Sequence, residues 1–324
     1  MNLGTQIILE VFIFFTLSFG DDFTKTFLRV PLDAVSRSIG GSNQAYPIGA
    51  IDLFINPALL GQHQQNQLQF SNIINLLSTE YGSVAFSAPV GKKDHIGVGF
   101  IGRLNSIASE SQTATVKLKE YGHYQFVGVA GYSHSFDPFV IGVNLKYFQM
   151  GYDGGQYYMT GNGVSVNAGL FYSLNQFVQI GFTMESPFKI YWNDDYRESA
   201  PGRIGLGVAW SPAPKSNDFI RFLLSVERFA NEPIQTNLGI VLKPLINNLG
   251  LRDFRMRAGL GNITSDLQQP RDILDLATDS APAVTVGMGI GFNAGATWQV
   301  KIDYCFQIIE FVSNQHIVTT RISF

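Results

Sequence analysis

The densest group of side chains able to do chemistry is Asp194, Asp195 and Glu198, set beside Tyr191, Trp192 and Tyr196. Carboxylates so close together could coordinate a cation or divide acid and base roles between them. They fall in a polar stretch between two alternating apolar segments, however, which favours a solvated loop. His63, His95, His123, His134 and His316 share no ligand spacing, and no cysteine or acidic cluster joins them, so a metal centre is not expected. Gly287, Gly289 and Gly291 superficially look like a nucleotide loop, yet they alternate with Val286, Met288 and Ile290 and no helix follows. No serine or cysteine has a recognisable nucleophile setting. The expectation is a protein that is not an enzyme and uses no cofactor.

Composition narrows the class. The 324 residues are 45% hydrophobic and only 15% charged, with 33 glycines, an odd balance for a globular chain. A helical membrane protein needs spans of roughly 20 apolar residues, and nothing after residue 20 approaches that. With a net charge of -3 and singly scattered Lys and Arg, the chain has no basic stripe for nucleic acid. The single cysteine, Cys305, excludes an intramolecular disulfide without fixing the compartment. At the start, Ile7 to Leu9 and Val11 to Leu17 form an apolar stretch ending near Ser18 and Gly20, which reads as a secretory signal over residues 1–20. No Lys or Arg precedes Lys25 and Glu10 interrupts the stretch, so a buried strand or helix is the alternative.

From residue 67 the chain repeats one unit: about ten residues of apolar alternating with polar or glycine, then a break. Phe139, Ile141, Val143, Leu145 and Tyr147 alternate with Val140, Gly142, Asn144, Lys146 and Phe148. The pattern predicts strands near 67–73, 79–88, 94–103, 121–133, 138–150, 162–173 and 176–186. It continues near 201–211, 217–228, 234–243, 252–261, 283–293, 296–307 and 315–324. Mid-strand charges test the pattern, because a Lys or Arg facing mid-bilayer costs roughly 2–4 kcal/mol while one facing the lumen costs little. Arg103, Lys146, Glu185, Arg203, Arg221, Glu227, Arg255, Arg257, Lys301, Asp303 and Arg321 all share the non-apolar face. Long connections alternate with tight ones, and Tyr132, Phe139, Tyr172, Trp210, Phe292, Trp298 and Phe324 gather beside the tight ones as a girdle. A soluble β-sandwich also alternates but rarely needs strands this long. The expected fold is therefore all-β: a transmembrane antiparallel β-barrel of about fourteen strands over 67–324, surrounded by outer-membrane lipid, behind a small N-terminal plug over 21–66.

The plug segment runs FLRVPLDAVSRSIGGSNQAYPIGAIDLFINPALLG from Phe27 to Gly61. Asp33 to Ser38 can form a short helix closed by Gly40 and Gly41, and Asn56, Pro57 and Ala58 a rigid turn. Phe27, Leu28, Ala34, Arg37, Gly40, Gly41 and then Asn56, Pro57 and Ala58 resemble the N-terminal signature of the PorV/PorQ family of outer-membrane proteins. The ending, Ile302 to Tyr304 and His316 to Phe324, is similar to that family's last two strands. Arg37 is displaced from the family's usual arginine, and its acidic residues before NPA are reduced here to Asp52. The resemblance implies a FadL-like barrel of the type IX secretion system that receives exported client proteins and passes them to surface-attachment components. Independently of the family, Val318, Thr320, Ile322 and Phe324 share one face of the last strand, and a terminal aromatic so placed resembles the assembly signal read by the barrel assembly machinery. In the secretion-system reading Phe188, Tyr191, Trp192 and Tyr196, in an outward loop from Pro187 to Ala200, would bind the partner, since large amphipathic residues dominate such contacts. A FadL-like transporter of hydrophobic small molecules is the alternative, motivated by the NPA plug; a purely structural barrel is the third.

Overall fold

The computed structural model describes residues 33–75, 79–107, 121–153, 158–193, 196–213, 219–230, 232–244, 253–264, 282–295, 297–309 and 314–324. The expected signal segment, Phe27, Leu28, Asp194 and Asp195 lie outside the described residues. Among the described residues no helix is long and apolar enough to cross a membrane.

Among the described residues, sixteen strand segments follow three short helical turns. They are β1 (Gln67–Asn75), β2 (Thr79–Val90), β3 (Asp94–Ile107), β4 (Tyr121–Ser135), β5 (Phe139–Asp153), β6 (Tyr158–Ser173), β7 (Val178–Glu185) and β8 (Phe188–Trp192). Then come β9 (Arg197–Ala200), β10 (Arg203–Trp210), β11 (Ile220–Phe229), β12 (Gln235–Leu242), β13 (Asp253–Thr264), β14 (Ala283–Ala294), β15 (Trp298–Ile309) and β16 (Asn314–Ser323). All neighbouring pairs are antiparallel, β7 pairs with β10, and β1 closes on β16 from Gln67 opposite Ser323 to Asn75 opposite Gln315. The result is a closed barrel of fourteen strands with β8 and β9 standing above it. Closure leaves no barrel edge unpaired, the condition for a sheet to exist in lipid.

The expected loop from Pro187 to Ala200 is instead mostly this β8–β9 hairpin. Glu185 faces Arg203 across β7 and β10, and Phe188 faces Ala200 across β8 and β9, so a single register runs through both pairs. Between them Pro187 lies opposite Pro201. Neither proline has an N–H to donate, so the ladder misses a rung and resumes beyond it. On the other flank Ser186 bridges the gap, its N–H reaching the Val166 carbonyl at 2.8 Å and its hydroxyl accepting from the Val166 N–H at 3.1 Å. β8 then pairs with the far end of β6, Gly161 opposite Trp192 and Gly163 opposite Ile190.

Side-chain parity divides the wall as the alternation requires. Ile141, Val143, Leu145 and Tyr147 face outward and are 45–53% exposed, whereas Asn144, Lys146 and Phe148 between them are buried. At the end carrying the tight turns, aromatic rings stack along the outer surface: Phe139 on Tyr172 at 4.5 Å, Trp210 on Phe222 at 5.3 Å and Trp298 on Phe324 at 5.1 Å between centroids. Phe324 also exchanges two backbone hydrogen bonds with Asn66. An apolar outer band above an aromatic girdle, around a closed lumen of polar residues, is the build of an outer-membrane barrel. By the usual rule for such barrels the tight-turn end is periplasmic.

The outward face carries the first test. Leu145→Arg, near mid-band on β5, is expected to destabilise the barrel by roughly 2–4 kcal/mol in lipid-based denaturant unfolding, followed by the difference in gel mobility between boiled and unboiled protein. A loss below about 0.5 kcal/mol, small against that range, would place this face away from lipid.

Candidate functional site

The plug is held by backbone contact. Asp33 opens helix α1 (Ala34–Ser38), its carboxylate accepting from the N–H groups of Val35 at 2.8 Å and Ser36 at 3.1 Å, and from the Ser36 hydroxyl. Gly40 and Gly41 then take φ values of +66° and +83°, ending the helix in the left-handed region. Helix α2 (Asp52–Ile55) and the 3-10 turn Pro57–Gln62 complete the described plug. Inward glycines meet it from almost every side of the wall. A Cβ on Gly181 would come within 1.9 Å of the Gln44 carbonyl oxygen, one on Gly142 within 2.3 Å of Pro57 and Ala58 backbone, and one on Gly259 within 2.2 Å of the Gly40 nitrogen. Gly131 makes the same room for Leu53, Gly99 for Phe54, and Gly287 for Ser38.

Asn56 locks this arrangement. Its amide donates to the Gln44 carbonyl at 2.8 Å and to the Leu170 carbonyl of β6 at 3.3 Å, while its oxygen accepts from the Ala58 N–H at 3.1 Å. Pro57 starts the 3-10 turn, where its missing N–H costs nothing. Elsewhere Asp52, fully buried, accepts from the N–H of Ile48 at 2.9 Å and pairs with His63 at 2.9 Å, and His95 of β3 bonds the His63 carbonyl at 2.8 Å. Gln44 accepts from Thr183 at 3.0 Å and donates to Glu227 at 3.1 Å. It thereby joins a chain of inward charges in which Lys146 pairs with Glu185 at 2.6 Å and Arg203 pairs with Glu227 at 3.3 Å. Buried pairs of this kind offset their own desolvation more than they add stability. Their effect here is to fix where the plug sits.

Above the plug the inner wall changes character. Phe148 and Met150 of β5, Val127 of β4 and Ile101 of β3 form an apolar patch with Phe188, Ile190 and Trp192 of β8, all of them buried. Phe148 and Phe188 stack at 4.4 Å and 17°. Gly161 and Gly163 of β6 leave space beneath the hairpin: a Cβ on Gly161 would meet Ile190 at 2.7 Å and Trp192 at 2.8 Å. The patch runs without interruption into the plug's own apolar residues, Leu53 and Phe54 among them. Polar groups border it: the Glu198 carboxylate accepts from the Trp192 indole N–H at 3.3 Å, and the buried Gln125 amide lies 3.9 Å from the Met150 sulfur. Each large side chain here withholds from water enough apolar surface to be worth about 1.5–3 kcal/mol.

The expected partner-binding residues are thus divided. Phe188 and Trp192 turn into the lumen, because the strict alternation of β8 puts Phe188, Ile190 and Trp192 on one face and Lys189 and Tyr191 on the other. Tyr191 and Tyr196 remain on the outside, 55% and 54% exposed, with Arg197 over the Tyr191 ring at 5.5 Å. Asn56, Pro57 and Ala58 come together against β5 and β6, and Phe324 lies apart from both groups in the girdle. Gln44, His63 and the inward glycines did not stand out in the sequence. The signal for the glycines was present, since they recur on the face opposite the lipid-facing residues.

No protein-family model matches the sequence, and no curated protein is similar to it. Solved structures do share its fold. The toluene transporter TodX of Pseudomonas putida superposes with a TM-score of 0.58 at 13% identity, covering 90% of this chain and 96% of that one. The toluene transporter TbuX of Ralstonia pickettii gives 0.57 at 12%, covering 90% and 97%, and a FadL homologue of Pseudomonas aeruginosa gives 0.61 at 10%, covering 91% and 98%. The FadL-like architecture implied by the plug motif is therefore present, while the PorV/PorQ assignment gains no support from these structures.

Two tests address the plug. Gly181→Leu and Asn56→Ala should each release it, so that protease cuts within residues 33–66 at least tenfold faster while unboiled barrel mobility is kept; Gly128→Ala, where a Cβ meets nothing within 4 Å, should behave as wild type. Equal rates in all three would show that these contacts do not hold the plug. The second test concerns pH. Burial pushes the Asp33 carboxyl up to about 6, against its hydrogen bonds from Ser36 and Val35, which pull it down. A raised carboxyl favours the protonated folded state, so its stabilisation is full below pH 4 and is lost as pH rises through 6. Protease protection of the plug should be greater at pH 5 than at pH 7.5, and Asp33→Asn should remove this part of the difference.

Proposed function

We propose that this barrel takes up hydrophobic small molecules, holding them at the apolar inner patch under the β8–β9 hairpin before they pass the plug. The observation that supports this most directly is the patch itself. A lumen otherwise lined by Lys146, Glu185, Arg203, Glu227 and Arg257 turns apolar at Phe148, Met150, Phe188, Ile190 and Trp192, and such a stretch of inner wall is a lining against which an oily molecule can leave water. Aromatic and thioether side chains suit ligands of loosely defined shape. The proteins whose fold it shares are described as toluene transporters and a FadL homologue, which agrees with a hydrophobic cargo.

A second reading, a secretion-system barrel that binds exported proteins and surface-attachment components, keeps one specific feature in its favour: Tyr191, Tyr196 and Arg197 stand exposed on the outer side of the hairpin. Phe324, stacked on Trp298, is in this scheme the residue that the barrel assembly machinery reads.

One experiment separates the two readings. Cells carrying the barrel are assayed for uptake of the fluorescent probe N-phenylnaphthylamine, and the purified barrel for co-purifying exported proteins. Ile190→Asp, which places a charge in the patch, is expected to lower probe uptake at least fivefold with barrel mobility unchanged. Unchanged uptake, together with loss of exported proteins on Tyr191→Ala and Tyr196→Ala, would overturn the transport reading in favour of the secretory one.

A further inference from the structure

At its extracellular border the apolar outer band gives way, on one side of the barrel, to cations. On β6 the outward Val164 is 53% exposed, and the next outward position toward that end is Asn162, which accepts from the Tyr147 hydroxyl at 2.6 Å. The hairpin lies beside this border. Its register against β6 sets Tyr191 opposite Asn162 and so brings Lys189 to the level of Val164, while Tyr191 faces Arg197 across the hairpin. On β10 and β11 the outward Leu206 and Leu224 are exposed, Ile204 follows toward the same end, and Arg228 stands opposite Ile204. Lys189, Arg197 and Arg228 are all exposed. Each therefore stands at the edge of the apolar band or one outward position beyond it.

Arg197 lies over the Tyr191 ring at 5.5 Å, and among the described residues none of the three cations has an ion pair. The carboxylates nearest in sequence are directed elsewhere: Glu198 turns inward onto Trp192, Glu227 onto Arg203, and Glu232, in the turn after β11, does not pair with Arg228. Among the described residues no other Lys or Arg faces outward at this end, since Arg103, Lys146 and Arg203 belong to the lumen face and Lys92, Lys93 and Lys243 to the periplasmic end. A cation at the edge of the hydrocarbon is stable where its head reaches the headgroups, and there anionic lipid attracts it. The planar fork of arginine matches phosphate oxygens two at a time, and a tyrosine such as Tyr191 suits the same level with its amphipathic ring. We propose that Lys189, Arg197 and Arg228 form a binding surface for the phosphates of a phosphorylated glycolipid of the outer leaflet. The surface lies on the opposite face of the hairpin from the apolar patch and does not depend on the transport reading. Among the described residues β9 pairs with β8 alone, so a lipid held by all three cations joins the hairpin to β11 on the side where it has no strand partner.

Titration of the purified barrel in uncharged detergent, read by native mass spectrometry at fixed ionic strength, tests this. The probes are diphosphoryl lipid A, the same lipid freed of its phosphates, and an oligoglutamate peptide. Saturable binding of diphosphoryl lipid A, at least tenfold tighter than that of the phosphate-free lipid, is the expected result. Combining Lys189→Gln, Arg197→Gln and Arg228→Gln should weaken it at least tenfold, whereas Lys243→Gln, exposed at the periplasmic end, should leave it unchanged. All four positions are on the surface, and unboiled gel mobility shows that each variant is folded. The proposal is overturned if the two lipids bind alike, if the triple variant binds as wild type, or if Lys243→Gln weakens binding as much. It is also overturned if oligoglutamate binds more tightly than diphosphoryl lipid A, which would make this a surface for acidic protein segments.

Discussion

The contact on which the rest of the molecule depends is the approach of plug backbone to strand backbone at inward glycines. A barrel of this size has a lumen too wide for its own side chains to fill, and a separate segment must occupy it. Side chains alone would hold such a segment loosely. At Gly142, Gly181 and Gly259 the wall gives up its Cβ atoms so that Pro57, Gln44 and Gly40 can lie directly against it. Packing this close leaves no gap for water and allows very few positions for the plug. Asn56 and Gln44 then hydrogen-bond across contacts already made, and His95 and Asn144 of the wall add bonds to the carbonyls of His63 and Leu53.

Around that contact the lumen separates into regions of different chemistry. Charged side chains of β5, β7, β10 and β11 form a paired chain at plug level, Asp253 joins Arg255 and Lys301 near the tight-turn end, and apolar residues line the upper part near β4, β5 and β8. The division follows from the strands themselves. Outward positions are committed to lipid and must be apolar, leaving the inward positions free to vary with height. The long strands β4, β5 and β6 carry that variation beyond the apolar band.

Much of this architecture was legible in the residue order. Two-residue alternation located all fourteen barrel strands, and charge parity told lumen from lipid at positions such as Lys146 and Arg257. The hairpin was not legible for a definite reason. Pro187 and Pro201 are ordinary strand breakers, and the five residues from Phe188 to Trp192 make too short an alternation to be told from a loop rich in aromatics. Nor was the plug's resting place. Glycines on the inward face looked like small polar filler, because which of them meets Gln44 or Pro57 depends on contacts far apart in the chain, 85 residues for Gly142 with Pro57 and 137 for Gly181 with Gln44. The motif Asn56, Pro57, Ala58 was visible, but its partners, the carbonyls of Gln44 and Leu170, are backbone atoms that no residue type announces.

The opposed prolines also bear on how this barrel could diversify. Since one register runs unbroken past Pro187 and Pro201, the hairpin above them behaves as a cassette whose reading frame is two residues long. Lengthening both arms by two residues would keep Phe188, Ile190 and Trp192 pointing inward, whereas inserting a single residue below Phe188 would turn the whole apolar face outward and bring Lys189 and Tyr191 into the lumen. Descendants of this chain can therefore remodel the extracellular tip freely in paired steps while the fourteen strands beneath it stay in register.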